Sequence, residues 1–479
     1  MASYGIYVGR DLTEDGSVFL GGSGDEVSSH WLELVAASSH APGSVVTVGV
    51  DENAALPGEL STIPQVAQTA RYLSMNYTEY EGFPPPLTNG GLNEYGVAAR
   101  DIWSPSRQEL VDMTPATQRG PNYSDLSRIV MERARSAEEA VTIVGELIDE
   151  YGYSSYGGNS HMFADAEEGW VLLEFAGGKG LWVARRLAAD EVVMFYPGYI
   201  GEVPVDIDSD PDFRASENFI SFAVEQGWFD PDAGEAFDVA RVYGTDEVRF
   251  PRREMEEELR QAAPISLRDM LDAVRDRRIS KDATGYGQVA QLKANTPAAV
   301  RTLWVAPTGS VTAPFIPWRI GVERIPPEFG KHRYLTKNES RRFLTRDWQL
   351  QEATVFAGRL FKRLMYFTCD RPDEFLPEVT EALTAFENGM LAEQAMVDET
   401  ARVLLAADRP RLASRYLTDY VHARAREALE LGAALLGSIE ARTRVSYGIR
   451  EPEGDEMSRL DYQMVTCRPL VSRDGDGGQ

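Results

Sequence analysis

Residues 1–25 read MASYGIYVGRDLTEDGSVFLGGSGD, and their reading decides the fold. Two short apolar runs, Tyr4–Val8 and the stretch "SVFLGG", flank "RDLTEDG". The Asp15-Gly16 pair in that linker suits a turn needing positive φ, so a hairpin is predicted. Chain termini usually fray, yet here a strand begins almost at once. A hydroxyl, Ser3, sits immediately before it. A serine hydroxyl is a weak nucleophile unless a base takes its proton, and a residue at a chain start can use its own α-amine. That amine titrates at about 7.7–8.0 in model peptides, close to working pH. The arrangement needs the residue held on a rigid element, and the predicted strand supplies one.

Outward from that stretch, the chain of 479 residues is long enough for two or more domains or layers. A net charge of −27 argues against nucleic acid and anionic membrane as partners, because both require clustered Lys and Arg. No stretch approaches the roughly 20 apolar residues of a membrane span, and no signal-peptide pattern opens the chain. Cys369 and Cys467 are the only cysteines and read as reduced thiols, so the cytoplasm is the expected setting.

Strands, helices, strands, a mixed region and a helical end follow one another, an α+β pattern. "LTNGGLNEYGVAARD" repeats the hairpin theme, with Asn89-Gly90 and Glu94-Tyr95-Gly96 read as turns. "SDLSRIVMERAR" and "SAEEAVTIVGELIDEYG" read as helices. In the second, Ser136 and Glu139 have capping-box spacing, and Ala140, Val141, Val144, Leu147 and Ile148 mark one apolar face. "SHMFADAEEGWVLLEFAGGKGLWVARRL" returns to strands, with turns at Glu168-Gly169 and Gly177-Gly178. From about Gln351 to Thr443 the pattern is long helices punctuated by Pro372 and Pro410, the middle one with an expected break near Gly389. The last residues, "SRDGDGGQ", read as a disordered tail.

Several familiar chemistries are not indicated. "GGSGDE" and "GGKGLW" lack the Gly-Lys-Ser/Thr ending of a phosphate loop and read as tight turns. The five histidines are scattered without metal-ligand spacing. In "DIDSDPDFRASE" the acidic spacing resembles a calcium loop, but Pro211 stands where a sharp turn needs glycine. No Gly-x-Ser-x-Gly elbow precedes a helix. Neither a metal nor an organic cofactor is expected.

Six stretches together resemble the dipeptidase A (PepD-type) family of N-terminal nucleophile hydrolases. They are "YGIYVGRDLTEDGSVFLGGSGDE", "PLTNGGLNEYGVAARDIWSPSR", "GPNYSDLSRIVMERARSAEEAV", "YGGNSHMFADAEEGWVLLEFAGGKGLWVARR", "YPGYIGEVPVDIDSDPDFRASENFISFA" and "FDVARVYG". The resemblance implies a four-layer αββα sandwich over residues 3–335, a helical C-terminal region over 336–450, and a partly extended, disordered tail over 451–479. It implies a dipeptidase or amide hydrolase working through an acyl-enzyme. It places the nucleophile on Ser3 and the partner carboxylate on Asp25. It makes Asn159 of "GNSH" an oxyanion donor or substrate-orienting amide.

Two departures stand out. Position 3 is Ser where the family carries Cys, so the residue is either a native serine nucleophile or a Cys→Ser replacement. Many relatives carry Arg at the place of Gly22, a role left here to another residue such as Arg100. Arg100 and Arg185 are the candidate partners for a dipeptide's carboxylate. While Ala2 remains attached, Ser3 has no α-amine to use, and attack of Ser3 on the Ala2 carbonyl is the implied route to its removal. The rival readings are an amidohydrolase or acyltransferase acting on an N-acyl metabolite, and a catalytically silent binding or scaffold relative. The helical block reads as core packing or subunit contact, which leaves a homo-oligomer open.

Overall fold

The computed structural model describes residues 3–25, 30–77, 82–85, 87–195, 198–245, 252–281, 283–332, 354–448 and 467. The opening hairpin forms as expected: β1 (Tyr4–Val8) pairs antiparallel with β2 (Val18–Asp25), and Gly16 turns between them at φ 71°. Twelve further strands complete two large sheets. They are β3 (His30–Val35), β4 (Tyr72–Tyr77), β5 (Leu87–Asn93), β6 (Ala98–Ile102), β7 (Asn159–Ala164), β8 (Gly169–Glu174) and β9 (Trp182–Leu187). The rest are β10 (Val192–Phe195), β11 (Phe213–Ala215), β12 (Thr284–Leu292), β13 (Thr302–Ala306) and β14 (Ile316–Arg319). The first sheet has the order β10-β1-β2-β12-β13-β14 and the second β11-β9-β8-β7-β6-β5-β4-β3.

Side-chain alternation sorts these strands into layers. Tyr7, Leu20, Tyr286 and Ala290 of the first sheet share an inner core with Leu73, Leu92, Met162 and Val171 of the second. The opposite face of the first sheet, with Ile6, Phe19, Val289 and Trp304, is covered by helices. Those are α4 (Leu267–Arg275), α5 (Ala357–Asp370), α6 (Pro372–Ala406) and α7 (Pro410–Ser446); α3 (Arg252–Gln261) joins them through Met255 and Leu259. The outer face of the second sheet, with Ala99, Phe163, Trp170 and Leu172, packs on α1 (Tyr123–Arg133) and α2 (Ala137–Tyr151). The result is the four-layer αββα sandwich, and the C-terminal helices form part of one outer layer. Each fully buried large apolar side chain contributes roughly 1.5–3 kcal/mol, so strands covered on both faces are held firmly.

Helix α2 starts where its sequence says it should: Ser136 Oγ accepts from the Glu139 N–H at 3.1 Å. All five residues of its expected apolar face are buried. Pro372 and Pro410 each occupy the first turn of a long helix, where a missing N–H costs nothing. A buried ion-pair network ties two of these helices together. Glu387 of α6 meets Arg275 and Arg268 of α4, the latter at 2.6 Å, and accepts from the Phe315 N–H at 2.8 Å. Burial opposes the Glu387 charge, but the two guanidinium groups outweigh it and hold the carboxyl below its ordinary range.

Three sequence expectations are corrected. Asn89-Gly90 is not a turn but lies inside β5, where Gly90 at φ 105° would put a Cβ 2.4 Å from the Ala99 carbonyl oxygen. Glycine is there for a close strand approach, and the turn is at Glu94–Gly96. Helix α6 runs unbroken through Gly389, which faces open space while Leu383 and Met390 anchor the helix on either side; one exposed glycine costs a helix only about 1 kcal/mol. Cys369 and Cys467 are joined as a disulfide rather than standing as reduced thiols, with Cα atoms 4.4 Å apart. Both are buried beside Val311 and Met365, within bonding reach. That bond removes one of the grounds for expecting the cytoplasm. Among the described residues no helix is long and apolar enough to cross a membrane. Apart from Cys467, the expected tail over 451–479 lies outside the described residues.

Candidate active site

Ser3 stands at the head of β1, on the face turned toward the second sheet, and is only 5% exposed. The register pairs Tyr4 with Ser23 and Gly5 with Gly22, which brings the end of β2 beside the start of β1. There the Asp25 N–H donates to Ser3 Oγ at 3.2 Å. A backbone donor at that oxygen favours the build-up of negative charge on it. The strand therefore does for Ser3 what the hairpin pattern promised: it fixes a residue near the chain start.

The Asp25 side chain is buried and clamped from β12. Thr284 Oγ1 donates to Asp25 Oδ1 at 2.7 Å, and Lys281 Nζ lies 2.8 Å from Oδ2. Thr284 is also the residue that pairs with Asp25 in the hydrogen-bond ladder of the first sheet. In the clamp an opposite charge and a hydroxyl donor take the place of the water lost on burial. Beneath it, the Tyr4 hydroxyl donates to the Val274 carbonyl at 2.8 Å. Burial pushes that phenol well above its ordinary value, so it stays a neutral donor.

Arg100 approaches from the opposite sheet. Its neighbours Ala98 and Ile102 belong to the inner core, and its guanidinium points the same way, fully buried. Nη2 donates to the Ser23 carbonyl and, at 3.5 Å, to that of Asp101. The guanidinium carbon lies 5.1 Å from the centre of the Tyr286 ring. Tyr286 in turn neighbours His30, with ring centres 5.0 Å apart, and His30 Nε2 is 3.2 Å from Asn89 Oδ1.

The other two expected site residues are held elsewhere. Asn159 shares a strand face with His161 and Phe163, the face turned to α1 and α2. Its Nδ2 donates to Glu174 Oε1 and to the Ser160 carbonyl, each at 3.3 Å, and its Oδ1 accepts from the Tyr156 hydroxyl at 2.9 Å. Arg185 pairs with Glu191 at 2.5 Å. The same end of β9 receives the Tyr7 hydroxyl at the Leu187 and Ala188 carbonyls. Tyr7 is four residues beyond Ser3, about 13 Å along an extended strand. So the structure groups Ser3, Asp25 and Arg100, and sets Asn159 and Arg185 apart from them.

Lys281 and Thr284 were missed by sequence reasoning. They lie more than 250 residues from Asp25 and carry no local motif; only the β2–β12 pairing unites them. A second serine cluster also emerged. Ser127 Oγ is 3.0 Å from His161 Nε2, and His161 Nδ1 is 2.8 Å from Glu174 Oε1. Burial opposes the imidazolium, but the Glu174 carboxylate prevails and raises the His161 pKa. The geometry copies a hydrolase triad, yet all three side chains have no exposed surface. No substrate reaches them, and the cluster bolts α1 to β7 and β8.

The model of Peptidase family C69 matches residues 5–252. A probable dipeptidase of Salmonella dublin is 28% identical over 180 residues, covering 36% of this chain and 40% of that protein. A probable dipeptidase B of Streptococcus pyogenes serotype M3 is 25% identical over 228 residues, covering 46% and 40%. A dipeptidase of Bifidobacterium longum is 26% identical over 227 residues, covering 43% and 39%. The matched region thus spans about two fifths of the length of these curated relatives. Among solved structures, a conjugated bile acid hydrolase of Clostridium perfringens aligns at a TM-score of 0.27 and 9% identity, over 64% of this chain and 89% of that one.

Proposed function

Since the chain belongs to peptidase family C69, we propose that it is a dipeptidase, an amide hydrolase whose nucleophile is Ser3 acting with its own α-amine. Relatives named as dipeptidases support the reaction class. The observation that carries the assignment of the nucleophile is the hydrogen bond to Ser3 Oγ from the Asp25 N–H, 3.2 Å long, at the head of a strand. Removal of Met1 and Ala2 exposes the amine. The amine takes the hydroxyl proton as Oγ adds to the substrate carbonyl, and the tetrahedral intermediate collapses as the proton passes to the leaving amine. Water then hydrolyses the ester by the same route in reverse. Asp25, held by Lys281 and Thr284, lies beside Ser3 to orient its α-ammonium or the substrate's own. The oxyanion falls to backbone N–H donors, typically worth about 2.7–4 kcal/mol each, because the Asn159 amide is already engaged.

Ser3→Ala tests this with a panel of dipeptides and product analysis by mass. The expected result is loss of free amino-acid release with an unchanged unfolding temperature. Full activity in Ser3→Ala would overturn the assignment. Release from N-acyl amides but from no dipeptide would favour the amidohydrolase reading, and an inactive wild type the silent one.

A further inference from the structure

We propose that Arg100 is a positioning residue for the nucleophile, a brace between the two sheets that keeps the end of β2 in register with Ser3. The inference rests on the reading of Ser3 given above. Its ground is where the guanidinium ends. Nη2 donates to the Ser23 carbonyl, and Ser23 is both the partner of Tyr4 in the ladder and the residue two before Asp25. The Asp25 N–H is the group that reaches Ser3 Oγ. A shift of the Ser23 peptide therefore moves the donor that the nucleophile uses.

The polar side chains of strand β2 are already engaged: the Ser23 hydroxyl is turned to Tyr4, and Asp25 is held by Lys281 and Thr284. Around the contact the strand reads Gly-Gly-Ser-Gly-Asp, and a Cβ on Gly22, at φ 149°, would lie 2.1 Å from the Tyr4 carbonyl oxygen. The brace comes from across the inner core, where the two sheets approach closely: a Cβ on Gly5 would fall 2.4 Å from Met162 Sδ of β7. The Tyr286 ring face, 5.1 Å from the guanidinium carbon, stands in for part of the water that burial removes. Anchoring a substrate carboxylate, the role first expected of Arg100, would need donors open to the cleft. Instead the side chain has no exposed surface and one of its nitrogens is spent on two backbone carbonyls.

The two roles separate in steady-state kinetics. For Arg100→Met the brace predicts a fall in kcat of about 10–100-fold from misplacement of the reacting groups, with KM moving by less than about twofold. Arg100→Lys should recover only part of kcat, since an ammonium on a shorter stem lacks the flat guanidinium face set against the Tyr286 ring. A raised KM with unchanged kcat, restricted to dipeptides with a C-terminal carboxylate and absent for their amides, would overturn the brace in favour of the anchor. Unchanged kcat and KM would overturn both roles. Should Arg100→Met not fold, Arg100→Lys is read by the same criteria. A wild type that turns over no dipeptide would bring down the reading of Ser3 and this inference with it, whereas an active wild type isolates Arg100.

Discussion

Two buried serines in this molecule invite opposite conclusions. Ser127 has everything a triad asks for, with His161 and Glu174 at hydrogen-bonding distances. Ser3 has no imidazole among its described contacts, only the Asp25 N–H and its own place near the chain start. The first cluster lies behind the second sheet, packed under α1; the second lies where β1 begins, between the sheets. A familiar constellation sealed in the core is a bolt, whereas on the function proposed above it is placement at the head of a strand that lets the other serine react.

Substitution sharpens this contrast most at the serines themselves. Ser3→Ala should lower kcat by roughly a thousandfold or more, the scale seen when a nucleophile is removed. The next effect is at the clamp. Lys281→Met strips a buried carboxylate of its cation, a change that typically costs about 3–5 kcal/mol; with Thr284 still donating, the lower end is expected. Thermal unfolding should register it together with a drop in kcat/KM, and Lys281→Arg should restore most of both. If Lys281→Met leaves stability and turnover untouched, Asp25 is not held as described.

The sealed cluster predicts a pH signature instead. His161 has a raised pKa in the folded protein, so its pairing with Glu174 stabilises fully below the unfolded value of roughly 6.5. That contribution is lost as pH rises through the folded value. The unfolding temperature of the wild type should exceed that of Glu174→Gln most in mildly acidic buffer, and the gap should narrow toward alkaline pH. A gap that widens with pH would contradict the assignment. Smallest of all, Ser127→Ala should cost about 1–3 kcal/mol of stability and leave kcat within about twofold. Loss of turnover in a folded Ser127→Ala would erase the contrast between the two serines.

What could be read from the residues alone was what local chemistry dictates. The Asp15-Gly16 turn, the Ser136 cap and the apolar face of α2 each depend on neighbours within a few positions, and each is observed. The proximity of Ser3 and Asp25 was legible because a hairpin joins them. Lys281 and Thr284 were not, because strand pairing across more than 250 residues brings them to Asp25. Asn89-Gly90 misled for a related reason: glycine serves turns and close strand approaches alike, and only the neighbour, Ala99, tells which. Arg100 was named in the sequence for its charge, but its direction follows from the alternation of β6 between two faces. The disulfide of Cys369 with Cys467 spans 98 residues and carries no spacing signal.

On the proposed chemistry, a hydroxyl near the chain start is activated by the nitrogen of the same residue. Intact mass of a purified, active preparation, read beside its dipeptidase rate, tests it most directly. The active chain should begin at Ser3, with activity proportional to the fraction lacking Met1 and Ala2. A fully active sample in which Ala2 is still attached to Ser3 would contradict it.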